Sequence, residues 1–172
     1  GRCCRSCGRA GLLRDSGAGV QLKLLLGPAH IPETEIQKAT EFFAAKNKLD
    51  EGAFGAVFRG TWGGVEVAVK VLKMDQLQRE STEEQNRPFS GMSGFKMELE
   101  VLSKYHHENI VTLLGHCLGG SRPSLVFEFV AGGSLARRLH GTEEGGTPLT
   151  AAERFSIASD TGRGLEFLHT VA

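Results

Sequence analysis

The chain has 172 residues, with Lys+Arg and Asp+Glu at 20 each and a hydrophobic fraction of 40%. That length allows one domain, or one domain with a tail, and supplies enough apolar side chains for a core. The charge balance excludes recruitment of nucleic acid or membrane by global charge, and no apolar run approaches the roughly 20 residues that span a bilayer.

Residues 1–30 read as a poorly structured tail rich in Gly and Arg. Cys4-x-x-Cys7 has the spacing of half a zinc site and Cys3 shares its turn. A structural site needs four ligands, and no second CxxC exists, so the terminus reads as a frayed, biased segment. A zinc-dependent nucleic-acid binder fails for the same lack of ligands and of basic surface. Lys23 interrupts the apolar stretch Val20–Leu26, so the continuous core of a signal peptide is missing. A soluble, cytoplasmic chain with reduced thiols is expected.

Pro32 suits the first turn of a helix, and Ile36, Ala39 and Phe43 follow at helical spacing, which predicts an amphipathic helix over 31–46. Ala56–Trp62 and Glu66–Leu72 are β-rich runs parted by Gly63-Gly64, a hairpin signal. Residues 73–93 form a long polar connection, helical in part around Gln76–Glu84. Gly94–Lys104 is predicted as a helix, Thr112–Leu118 and Leu125–Val130 as strands, and Ser134–His140 as a short helix with Ser134 at its N-cap. After a loop at Glu143–Thr147, Thr150-x-x-Glu153 is a capping box opening a longer helix, with Ile157, Thr161, Leu165 and Leu168 on one face. The order β-β-β-α-β-β-α-α lacks βαβ alternation. It predicts an α+β fold: an antiparallel sheet with one packed helix, then the start of a helical lobe.

The chemistry concentrates around Leu49-Asp50-Glu51-Gly52-Ala53-Phe54-Gly55-Ala56-Val57 and Val67-Ala68-Val69-Lys70. Gly52 and Gly55 flank a turn between two strands, where N–H groups without neighbouring Cβ atoms can approach phosphates. Strand alternation puts Ala68 and Lys70 on one face. Val57 would lie over a flat base on that face, and a small Ala68 leaves room for a purine. Taken alone, Lys70 also fits a snorkelling surface side chain. Glu98 changes the balance. It falls on the inward stripe of Phe95, Leu99 and Leu102, where a carboxylate is costly unless it meets a cation, and Lys70 is the candidate. A solvated Glu98 at the rim is the other reading.

These residues resemble the eukaryotic protein kinases, and within them the receptor-like, Pelle and interleukin-1-receptor-associated group of Ser/Thr kinases. The resemblance runs from about Ile31 to the end of the sequence. Ile31–Phe43 is similar to that group's segment before the kinase domain, Val67-Ala-Val-Lys70 to its lysine strand, and Phe95-x-x-Glu98 to its regulatory helix. His107–Cys117, Leu125–Val130 with Gly132-Gly-Ser-Leu135, and Arg163–His169 resemble later stretches in the same order. Each is degenerate alone, and together they are specific.

The resemblance implies a five-stranded antiparallel N-lobe sheet over 47–130, a helix before it, and the first C-lobe helices over 131–172. It implies ATP as ligand, with Mg2+ in the complete enzyme and no metal ligand here. Lys70 would hold the α/β-phosphates, with Glu98 as its ion-pair partner. Leu49, Gly52 and Gly55 would cover the nucleotide, and Val57 and Ala68 would sandwich the adenine. Phe127 would be the gatekeeper at the back, and Glu128 C=O and Val130 N–H would meet the adenine edge through backbone atoms. Leu102 and Leu113 match an apolar column coupling helix to sheet, while Cys117, His106, His107 and His116 have no catalytic task.

Four departures stand out. Asp50 occupies the position of the family's first loop glycine, the Lys70-to-Glu98 connection is long, the group's usual tryptophan is missing near Ala151, and no H-R-D or D-F-G triplet follows His169. The expectation is the ATP-binding part of a protein Ser/Thr kinase, from a truncated chain inactive alone, with an upstream receptor or adaptor and an unknown protein substrate. The alternative is a non-catalytic kinase-like scaffold module. Ile157, Leu165 and Leu168 are expected partly exposed, with poor solubility as the consequence.

Overall fold

The computed structural model describes residues 27–52, 55–73, 91–140 and 148–171. The cysteines of the tail, the connection around Gln76–Glu84 and the loop at Glu143–Thr147 lie outside the described residues. The chain divides into two units, with 27–104 and 112–129 in the first and 105–111 and 130–171 in the second.

In the first unit, β1 (Ala29–His30), α1 (Glu33–Ala39) and a 3-10 turn (Ala45–Asn47) precede β2 (Lys48–Gly52), β3 (Gly55–Trp62) and β4 (Val65–Leu72). After α2 (Gly91–Lys104) come β5 (Leu113–Cys117) and β6 (Ser124–Glu128). The sheet runs β1-β5-β6-β4-β3-β2, with β1 parallel to β5 and every other pair antiparallel. The five expected strands are thus joined by a sixth, formed by two residues that the sequence leaves in the tail. Ile31 anchors it: its N–H donates to His116 O at 2.8 Å and its side chain is fully buried.

Alternation separates the two sheet faces. Val67, Val69 and Val71 of β4 share one face with Phe58 of β3 and Val126 of β6, and these residues bury together with Ile31, Ile36, Leu114 and Cys117. This back face receives α1. A Cβ at Gly60 would lie 2.7 Å from Ala39 O, so the helix end rests on bare backbone there. The helix is shorter than the predicted 31–46. Thr40, itself buried, donates its hydroxyl to Ile36 O at 2.8 Å and accepts from Phe43 N–H at 3.2 Å. Glu41, Phe42 and Phe43 then adopt φ of 52°, 57° and 58°. This left-handed turn returns Phe43 to the core, edge-on to Phe58 at 5.5 Å, and leaves Phe42 exposed. Phe43 therefore reaches the core without belonging to the helix.

α2 begins three residues earlier than predicted, at Gly91, and packs on β4 and β5. Phe95, Leu102 and Leu113 are all buried.

The second unit contains α3 (Leu135–His140) and α4 (Ala151–Val171). Ser134 Oγ accepts from Arg137 N–H at 3.3 Å, as an N-cap does. Thr150 and Glu153 form the capping box: Thr150 N–H donates to Glu153 Oε2 at 2.8 Å, and Glu153 N–H donates to Thr150 Oγ1 at 3.2 Å. Residues 105–111, which the sequence assigns to the lobe over 47–130, group with this unit because Tyr105 and His107 pack on Phe167 of α4, at 6.5 and 4.8 Å.

α4 buries Ile157, Asp160 and Gly164, the last two outside the predicted face; Leu165 is exposed and Leu168 half-buried, as expected, and Thr161 is exposed. Gly164 packs beside Asn109, whose carbonyl would lie in ordinary contact, 3.4 Å, from an added Cβ. Asp160 is tolerated there because Arg163 Nη1 donates to its Oδ1 at 3.2 Å. Ile157, expected to be partly exposed, is buried.

Candidate functional site

The face of the sheet opposite α1 is assembled by strand register. Val57 of β3 lies opposite Lys70 of β4, and Lys70 lies opposite Leu125 of β6. One step along, Arg59 lies opposite Ala68, Ala68 opposite Phe127, and Phe127 opposite Leu113 of β5. Directly opposed residues share a face, so Val57, Ala68, Lys70 and Phe127 form one contiguous surface. Val57, Ala68 and Phe127 are half-buried, and Leu125 behind them is fully buried. The small methyl of Ala68 sits between two larger neighbours, Arg59 and Phe127.

Lys70 Nζ forms an ion pair with Glu98 Oε2 of α2. The two side chains retain 32% and 21% of their exposure, so the pair is half-solvated. Such a pair contributes about 0.2–1 kcal/mol to folding, too little to be its purpose. Its effect is geometric: it fixes an ammonium on the face shared with Val57 and Ala68, with N–H donors left over, since a lysine has three.

The glycine-rich turn closes one end of this surface. Gly52 lies opposite Gly55, and Ala53 and Phe54 between them fall outside the described residues. A Cβ at Gly55 would clash with the backbone carbonyl of Val71, so the strands approach there more closely than any other residue allows. Leu49, half-buried, is the extra residue of a bulge, since Lys48 pairs with Phe58 and Asp50 with Val57. Asp50 is exposed, and its Oδ1 accepts from Glu51 N–H at 2.9 Å. Glu51 is paired with Lys48 and, at 3.0 Å, with Lys73 beyond β4. The two ammonium groups, Lys48 first, lower its carboxyl pKa from 4.5 to about 2.

The far end is β6 and its exit. Glu128 N–H donates to Thr112 O at 3.0 Å, and Glu128 Oε1 accepts from Thr112 N–H at 2.7 Å. Phe129 N–H meets Glu66 O at 3.4 Å, and its ring lies under the guanidinium of Arg59, 4.8 Å away. The sequence singles out Glu128 for its carbonyl only. Its carboxylate and the Arg59–Phe129 contact carry no local signal, because both depend on register between distant segments. Val130 is half-buried and belongs to the second unit.

Several singled-out residues lie elsewhere. Cys117 is buried on the back face, and burial raises its thiol pKa. His116 stands edge-on to His30 at 5.7 Å, and burial, then the neighbouring His30, lowers its pKa. Among the described residues, no group of three or more His, Cys, Asp or Glu side chains could hold a metal ion, and no helix is long and apolar enough to cross a membrane.

The family model of protein tyrosine and serine/threonine kinases matches residues 43–172. The chain belongs to the protein kinase family. Within the family it is similar to the serine/threonine-protein kinase pelle of Drosophila melanogaster, 36% identical over 147 residues, which are 81% of this chain and 27% of that protein. The receptor-like kinase TMK4 of Arabidopsis thaliana is 36% identical over 148 residues, 85% of this chain and 15% of the relative. Chitin elicitor receptor kinase 1 of the same plant is 37% identical over 135 residues, 78% and 19% of the two chains. The kinase chain thus spans about a quarter or less of the length of these relatives. Its α+β fold and its likeness to receptor-like and Pelle-type Ser/Thr kinases agree with the reading of the motifs. The family is one of enzymes.

Proposed function

We propose that the face built by Val57, Ala68, Lys70 and Phe127 binds ATP, as part of a kinase that transfers the γ-phosphoryl group to Ser/Thr hydroxyls of proteins. The observation that carries this reading is the Lys70–Glu98 ion pair, joining β4 to α2 on the sheet face shared by Val57 and Ala68. In this reading Lys70 donates to α/β-phosphate oxygens while Glu98 holds it in place, a charge-assisted contact of the stronger kind. Backbone N–H groups of the turn at Gly52 and Gly55 face the phosphates. Leu49, Val57 and Ala68 enclose the adenine, and Phe127 limits the depth behind it. Glu128 C=O and Val130 N–H meet the adenine edge. Magnesium accompanies ATP in this family and neutralises phosphate charge. A cytoplasmic location belongs to the same reading.

Asp50 is the one residue that favours a non-catalytic module, as a carboxylate near incoming phosphates. Its engagement with Glu51 N–H weakens that objection. The 172 residues contain no H-R-D and no D-F-G triplet, so this polypeptide is expected to bind ATP without transferring phosphate. Calorimetric titration with ATP tests the reading. Lys70→Met is expected to weaken binding about 10- to 100-fold, the worth of one charged hydrogen bond. Equal affinity in the two chains would sink the assignment, and γ-phosphate transfer by the polypeptide that is lost on Lys70→Met would overturn the expected inactivity.

A further inference from the structure

The end of the site face holds a three-residue assembly that the family motifs do not assign. Arg59 of β3 and Glu66 of β4 are diagonal cross-strand neighbours, because Arg59 lies opposite Ala68 and Glu66 stands two residues before it. Arg59 Nε donates to Glu66 Oε1 at 2.9 Å, and its Nη2 reaches the same oxygen. The guanidinium carbon is thereby held over the ring of Phe129, 4.8 Å from its centre. Phe129 in turn presents its N–H to Glu66 O at 3.4 Å. Phe129 directly follows Glu128, whose carbonyl the ATP reading places on the adenine edge, and Glu128 is tied through both backbone and carboxylate to Thr112.

We propose that Arg59 is a positioning residue for adenine recognition. It clamps Phe129 onto the β3–β4 hairpin and so fixes the direction of the Glu128 carbonyl. Phe129 is half-buried, and beyond the last ladder pair, Val67 with Glu128, the Arg59 stack and the weak 3.4 Å bond join it to the hairpin. A guanidinium over an aromatic face gains about 0.5–1 kcal/mol where solvent reaches it, which converts to an about two- to five-fold effect on a conformation it selects. Lysine at this position keeps a cation for both Glu66 and the ring but loses the planar fork, so it restores part of the effect.

The inference rests on the ATP reading, and two measurements separate their failures. The first is amide hydrogen exchange of Phe129 in the nucleotide-free 172-residue chain, which needs no ligand. Arg59→Ala is expected to raise its exchange about two- to five-fold, with Arg59→Lys between Ala and wild type. The second compares affinities for ATP, adenosine and inorganic tripolyphosphate. Arg59→Ala is expected to weaken ATP and adenosine by the same two- to five-fold and leave tripolyphosphate unchanged, whereas Lys70→Met does the reverse with tripolyphosphate. Unchanged exchange at Phe129, unchanged adenosine affinity, or an equal loss for tripolyphosphate would each overturn the role of Arg59. A wild-type chain that binds neither ATP nor adenosine would overturn the ATP reading, while the exchange arm still judges the clamp.

Discussion

Glu51 shows how a single side chain conditions the glycine-rich turn. Its carboxylate bridges Lys48, three residues back in β2, and Lys73 beyond the end of β4, so one residue ties the strands on either side of β3. The two cations lower its pKa from 4.5 to about 2. A carboxyl depressed on folding contributes stability that is fully present above its unfolded pKa and is lost as pH falls through the folded value. The window therefore runs from about pH 4.5 down to about 2. Because Glu51 is exposed, salt screens the effect. The melting temperatures of wild type and Glu51→Gln are expected to differ most at low salt above pH 5 and to converge toward pH 2, where the wild-type bridge is protonated. A difference that stays constant across that range would show that the bridge does not form in solution. Lys70 and Glu98, by contrast, are legible as a pair, because a carboxylate on an apolar helical stripe demands a cation and Lys70 ends a mostly apolar strand.

At the scale of elements, what the sequence shows depends on whether the signal is local. The Gly63-Gly64 hairpin, the Ser134 N-cap and the Thr150–Glu153 box are all local, and all form as read. The end of α1 is not local. Ile36, Ala39 and Phe43 keep helical spacing, yet the chain leaves the helix after Ala39 and passes through three consecutive left-handed residues before Phe43 returns to Phe58. Burial of Phe43 and the Thr40 hydrogen bonds outweigh a conformation that costs an L-residue roughly 1–2 kcal/mol. On α4, Gly164 packs beside Asn109, a contact from a distant segment that no local pattern signals, and the buried Asp160 pairs with Arg163. The left-handed turn gives a direct test. Phe42 is 73% exposed at φ 57°, so replacing it removes little packing and relieves the backbone. Phe42→Asn is expected to raise the unfolding free energy by about 0.5–1 kcal/mol, since Asn tolerates this region, and urea denaturation reads it. A loss of stability instead would mean that Phe42 is packed in solution.

Over the whole chain, apolar surface is distributed unevenly. The sheet unit buries apolar side chains on both faces and exposes Phe42, Met97 and Leu118 at separate places. On α4, Phe155 is 77% exposed and Leu165 51%. Both lie within one broad stripe that continues through the small residues Ala158 and Gly162, themselves exposed. Two large hydrophobes on one helix face, with no bulky polar side chain at Ala158 or Gly162 between them, make a patch that water disfavours and that a second copy can cover. The formal net charge of zero adds no long-range repulsion to oppose that contact. The polypeptide is therefore expected to self-associate as its concentration rises, as seen by sedimentation velocity. The double substitution Phe155→Ser and Leu165→Ser removes the patch without touching the buried Ile157, Asp160 and Gly164. It is expected to shift the chain toward monomer while leaving ATP affinity unchanged, because neither residue belongs to the unit that carries Lys70 and Glu98. If the wild-type chain stays monodisperse at high concentration, or the double variant associates equally, the patch on α4 is not what drives association.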